Sequence, residues 1–140
     1  MNYLVDTNVI SEIMQRSPDP GVSTWFLGVD EDVLFLSVIT VGEIRRGIER
    51  LMPGIRRNNL ETWLTESVVD RFAGRLLPVD HRVAEEWGRV LARCEASGRR
   101  ADIVDAQIAA TALCHDLTVV TRNVKDFEAT GVAVHNPWLG

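Results

Sequence analysis

Short apolar runs alternating with stretches of helical periodicity leave few folds open to this chain of 140 residues. Asn2–Val5, Val33–Leu36, Leu76–Val79, Thr118–Thr121 and Val132–Val134 are such runs, bounded by charge, glycine or small polar residues. Lacking polar alternation, they suit strands of a parallel sheet covered on both faces. Between them, apolar residues recur at helical spacing: Val9, Ile10, Ile13 and Met14 in Thr7–Gln15, and Val41, Ile44, Ile48 and Leu51 in Thr40–Met52. Leu60, Trp63, Leu64 and Val68 mark a further helix within residues 55–75, expected to break near Ser67. Val22–Val29, His81–Ala96 and Asp102–His115 complete the helices, and Arg122–Glu128 reads as a loop or one helical turn. This order predicts an α/β fold with a mainly parallel sheet of about five strands and right-handed crossovers. No linker, repeat or low-complexity tract divides residues 1–140, so one domain is expected.

Composition excludes more than it identifies. A hydrophobic fraction of 46% with 25% charged residues rules out disorder and coiled coil. A formal net charge of −5 supplies no global field for a polyanion. All but one of the 15 basic residues are nevertheless arginines, whose planar fork suits phosphate, although a GC-rich genome produces the same skew. Cys94 and Cys114 have neither C-x-x-C spacing nor a nearby histidine, and read as small apolar residues in a reducing compartment. His81, His115 and His135 fit no triad or zinc spacing. No apolar stretch approaches the roughly 20 residues of a membrane span, so a soluble cytoplasmic protein is expected.

Sites in parallel α/β sheets lie outside the carboxyl ends of the strands. Three acids are expected at that edge: Asp6 directly after the first strand, Glu43 in the first turn of the helix after the second, and Asp105 in the first turn of the alanine-rich helix. Converging carboxylates repel one another, and a hard divalent ion such as Mg²⁺ or Mn²⁺ relieves that repulsion. Helix capping is the competing account. Asp6 is a candidate N-cap, Thr40-x-x-Glu43 has the form of a capping box, and Asp102 with Asp105 repeats it. Periodicity alone leaves both open.

Four ordered motifs go further: Leu4-Val5-Asp6-Thr7-Asn8-Val9-Ile10-Ser11, Val41-Gly42-Glu43-Ile44-Arg45-Arg46-Gly47, Asp105-Ala106-Gln107-Ile108-Ala109-Ala110 and Thr121-Arg122-Asn123-x-x-Asp126-Phe127. With the Asn136-Pro137-Trp138 ending, they resemble the PIN-domain ribonucleases, and within them the VapC-type toxins of bacterial toxin–antitoxin pairs. The resemblance implies a three-layer α/β/α PIN-like fold and a metal-dependent ribonuclease. Asp6, Glu43 and Asp105 would bind Mg²⁺ or Mn²⁺, with Asn123 standing where the family often has a fourth acid. Asp126 is expected to order its loop, and Asp102 to support the site from behind.

Thr7, Asn8 and Thr121 are candidates to position water or a phosphate oxygen, with Arg46 and Arg122, and less specifically Arg45, Arg99 and Arg100, as phosphate contacts. The resemblance also implies a structured RNA substrate such as tRNA, inhibition of translation, a cognate antitoxin and a homodimer. Trp25, Trp63, Trp87 and Trp138 are able to stack on bases, though the spacing around Trp63 and Trp87 suits core or oligomer contacts better. Two rivals stand beside this. A haloacid-dehalogenase-like phosphatase also ends its first strand in an aspartate, but the second aspartate it needs is replaced by Asn8 and only Lys125 could supply its lysine. An inactive PIN-like interaction module is kept in play by Asn123.

Overall fold

The computed structural model describes residues 1–139. Its five strands are β1 (Tyr3–Val5), β2 (Leu34–Ser37), β3 (Leu76–Leu77), β4 (Thr118–Val120) and β5 (Val134–His135), joined in one sheet of order β3-β2-β1-β4-β5. Every pairing is parallel, with Tyr3 beside both Leu34 and Thr118. The helices are α1 (Thr7–Ile13), α2 (Pro20–Gly28), α3 (Val38–Glu49), α4 (Ile55–Thr62), α5 (His81–Ala96), α6 (Ile103–His115) and α7 (Val124–Phe127).

Neighbouring strand residues bury on opposite faces, which makes three layers. Val5, Leu34, Leu36 and Val120 pack against Val9 and Ile10 of α1, Val22 and Phe26 of α2, and Ile44 and Ile48 of α3. Leu4 and Val119 face the other way, onto Ile108, Ala109 and Ala112 of α6 and Phe127 of α7. A third cluster joins Val83, Val90 and Cys94 of α5 to Ala106 and Ala110 of α6, where small alanines permit close approach.

The chain winds outward from β1 through β2 to β3, then returns to lay β4 on the other side of β1. The crevice beyond the carboxyl ends of β1 and β4 is thus the topological switch point, where open α/β sheets bind ligands.

Several boundaries differ from the sequence reading. Ser37, fully buried, caps α3 through Ile39 N–H (3.0 Å). The helix therefore starts at Val38, and Thr40 lies inside it, buried, with no hydrogen-bond partner for its hydroxyl among the described residues. The Thr40–Glu43 capping box does not form. Pro78 follows the two-residue β3 directly, since proline has no N–H for the ladder. Gly131, at φ 83°, turns the chain so that β5 begins at Val134 rather than Val132. Near Ser67 the helix does not break but widens into a π-helical stretch, Trp63–Val69. Leu64 and Val68 of this stretch are buried on its core side, as is Phe72 in the turn that follows.

Candidate active site

Asp6 is 5% exposed and is fixed on both sides. Its backbone N–H donates to Val120 O (3.0 Å), tying the end of β1 to β4. Its Oδ1 accepts from Thr7 N–H (2.8 Å) and its Oδ2 from the Thr121 hydroxyl (2.8 Å). Thr121 Oγ1 in turn accepts from Asn8 Nδ2 (3.0 Å) and Asn123 N–H (3.1 Å). With two donors aimed at that oxygen, the single hydroxyl proton is committed to Asp6. Asn8 Oδ1 completes the frame by accepting from Arg122 N–H (3.2 Å).

Glu43 is held differently. It is the sixth residue of α3, one turn deeper than expected, because the helix begins at Val38. That displacement frees its side chain from capping, and its Oε1 accepts the Thr7 hydroxyl at 2.6 Å. Asp105 lies in the first turn of α6, whose cap is Asp102, with Oδ2 accepting from Val104 and Asp105 N–H. No hydrogen bond reaches the Asp105 carboxylate from the described residues.

All three acids line one open recess of about 400 Å³, with Thr7, Asn8, Arg122 and Asn123. Each has its proton affinity raised, by burial first. Asp105 is pushed up to about 7, by burial and then by the charges of Asp6, Asp102, Asp126 and Glu43. Glu43 is raised by burial, with Thr7's hydrogen bond opposing and Asp6 adding to the effect. Asp6 is raised by burial against its bonds from Thr121 and Thr7. No arginine or lysine of the described residues forms an ion pair with any of them. By donor chemistry the set suits a hard divalent ion, with water filling the remaining positions. The described residues do not bring three such side chains into one tight ligand triad, so coordination would draw the carboxylates together.

The structure separates the expected contacts. Thr7, Asn8, Arg122 and Asn123 line the recess. Thr121, expected to touch substrate or water, is fully buried, its hydroxyl engaged by Asp6, Asn8 and Asn123, so it acts by positioning. Arg46 is exposed on α3 and outside the lining, though close enough to favour the charged form of Glu43. Arg45 is committed to Glu61 (2.7 Å) and Arg99 to Glu128 (3.5 Å). Arg100 lies in a separate groove with Asp102 and Ile103. Asp126 is exposed, its charge felt by Asp6 and Asp105. Trp25 stacks edge-on against Tyr3 at 5.2 Å, and Trp63 and Trp87 pack on the core clusters.

Trp138, a candidate for base stacking, also lines the recess, as do Ser11, Glu12 and Gln15, which were not anticipated. Those three had a signal. With Asn8 they form a polar stripe at i, i+3, i+4 and i+7 opposite Val9, Ile10 and Ile13.

Comparison with known proteins agrees with this geometry. The PIN domain family model matches residues 3–132. The chain belongs to the PIN-domain family. Toxin FitB of Neisseria gonorrhoeae is 41% identical over 135 residues, covering 96% of this chain and 97% of FitB. The VapC ribonuclease Y4jK of Sinorhizobium fredii is 38% identical, covering 96% of each chain. Among solved structures, that of FitAcB from Neisseria gonorrhoeae superimposes with a TM-score of 0.92 at 40% identity, covering 97% of this chain and 98% of the other. PIN membership removes the phosphatase reading. Its second aspartate is absent here, and Asn8 in that place is spent on Thr121 and the Arg122 backbone. No helix of the described residues is long and apolar enough to cross a membrane.

Proposed function

We propose that residues 1–140 act as one PIN domain, a VapC-type endoribonuclease toxin in which Asp6, Glu43 and Asp105 hold Mg²⁺ or Mn²⁺. The observation that carries this reading is the convergence of three proton-hungry carboxylates at the switch point with no cationic side chain of the described residues paired to them. The bound ion supplies Lewis acidity toward a phosphodiester. Thr121 and Thr7 N–H hold Asp6 at a fixed angle, and the Thr7 hydroxyl holds Glu43. Asp105, whose carboxylate accepts no hydrogen bond from the described residues, would give its oxygens to the ion. Asn123 keeps an amide at the fourth corner, so the site carries less negative charge than one with four acids and favours a single ion.

The substrate is RNA, cut in a single-stranded loop of a structured molecule such as tRNA, which stops translation. The partner is a cognate antitoxin. FitAB and VapBC complexes among the similar solved structures support this, as several hold antitoxin and DNA together. Homodimerisation and a cytoplasmic setting belong to the same reading. The test is cleavage of RNA by antitoxin-free protein with Mg²⁺ or Mn²⁺, with chelator, and after Asp6→Asn. Cleavage that survives both chelation and substitution would overturn the metal mechanism, and no cleavage with either ion would return the chain to the inactive-module reading.

A further inference from the structure

The recess has one wall unlike the others. Most of its lining is acidic or polar, and among the described residues Trp138 is the only aromatic side chain in it. The Arg122 guanidinium lies over the Trp138 ring, 5.3 Å from its centroid. Arg122 is exposed and stands beside Asp6, Glu12, Glu43 and Asp105, yet forms no ion pair among the described residues. Asn8 Oδ1 holds its backbone, and Trp138 holds its side chain away from the carboxylates.

Trp138 is itself firmly seated. Its backbone N–H donates to Asn136 Oδ1 (3.0 Å), and its ring packs on the core beside α1 and α2. Gly21 lets α2 come against this turn, since a Cβ there would stand 2.7 Å from Pro137 O. A guanidinium over an indole places a planar cation beside an aromatic ring, both groups on which nucleobases stack.

We infer that Arg122 and Trp138 form a nucleobase subsite of this active site. A nucleotide whose phosphate faces Asp6, Glu43 and Asp105 lays an adjoining base on the Arg122 plane, backed by Trp138. The inference rests on the ribonuclease reading for its ligand class. Stacking is tolerant of base identity, so the subsite holds the strand rather than reading its sequence.

The experiment is a two-way cycle in the Asp6→Asn background with Mg²⁺, which prevents turnover during binding. Trp138→Leu keeps apolar bulk but removes the flat ring, Trp138→Phe restores a ring, and Arg122→Gln is a surface change that leaves the core intact. The probes are single-stranded oligoadenylate and the same ribose-phosphate backbone without bases, followed by fluorescence anisotropy, with melting temperature as the folding control. Trp138→Leu is expected to weaken oligoadenylate binding about tenfold, within the range of base–aromatic stacking. It should leave the abasic strand unchanged, with Phe recovering most of the loss; Arg122→Gln, which also removes a charge near the phosphates, should weaken both strands but oligoadenylate more. Equal loss on both strands, loss on neither, or no binding of oligoadenylate by the Asp6→Asn parent overturns the subsite. Cleavage by otherwise wild-type protein is scored separately: if it cuts RNA while Trp138 proves indifferent, only the subsite fails. If it cuts no RNA, the ribonuclease reading fails and the cycle still decides whether a base binds here.

Discussion

Asp6 and Asp105 share one recess and are built in opposite ways. Asp6 sits in a frame of donors, with Thr7 N–H on one oxygen and the Thr121 hydroxyl on the other. Asp105 accepts no hydrogen bond from the described residues and faces mainly charges of its own sign. The difference teaches how a site of converging acids stays folded. One carboxylate is clamped in place as a reference point, and the other is left open to the recess with no side chain or backbone donor of the described residues on it.

The largest expected effect treats the two alike. Asp6→Asn and Asp105→Asn should each lower RNA cleavage by more than about a hundredfold, beyond what residues outside the immediate ligand set contribute. A variant of either that cuts at the wild-type rate would remove it from the ligand set. Thr121→Val should cost about 10- to 100-fold in activity or Mg²⁺ affinity by releasing the clamp on Asp6. Thr7→Ala, which frees only Glu43, should cost less, and a larger loss than at Thr121 would reverse the ranking.

Stability should split the pair. In metal-free protein, Asp105→Asn is expected to raise the melting temperature by removing an unfavourable charge. Asp6→Asn is expected not to, since an amide cannot accept from both Thr7 and Thr121. Between the ordinary aspartate value of 3.8 and about 7, the folded chain holds a proton on Asp105 that the unfolded chain has released. Stability therefore falls as pH rises through that window, and raised Asp6 and Glu43 add to the same trend. Melting of metal-free protein from about pH 5 to about pH 8 should show the fall, and Asp105→Asn should flatten it. The smallest effect is at Ser37, outside the recess lining: Ser37→Ala should cost about 1 kcal/mol as a lost helix cap.

Much of the layered fold is legible in the sequence because apolar runs without alternation demand cover on both faces, and α5 spans His81–Ala96 as its caps predict. The depth of Glu43 is less legible. Ser37 and Thr40 are both chemically fit to cap α3, and only the point where β2 ends makes Ser37 the one that does. Thr121 looks from its neighbours like a contact residue, yet the pairing of β4 with β1 turns its hydroxyl inward to Asp6. Trp138 at the recess is invisible to local pattern, since it depends on the 137–139 turn packing over α2. The meeting of Asp6, Glu43 and Asp105 is suggested by topology, whereas the polarity of their surroundings requires the assembled crevice.

The bond from Thr121 to Asp6 spans 115 residues of sequence. A chain emerging from the ribosome displays Asp6 and Glu43 early, with neither clamp nor opposite wall, and gains both only when β4 docks beside β1. Possession of the carboxylates is therefore not possession of the activity. A product stopped short of Thr118 has no assembled recess, so premature release of this chain yields a silent fragment rather than a partial nuclease.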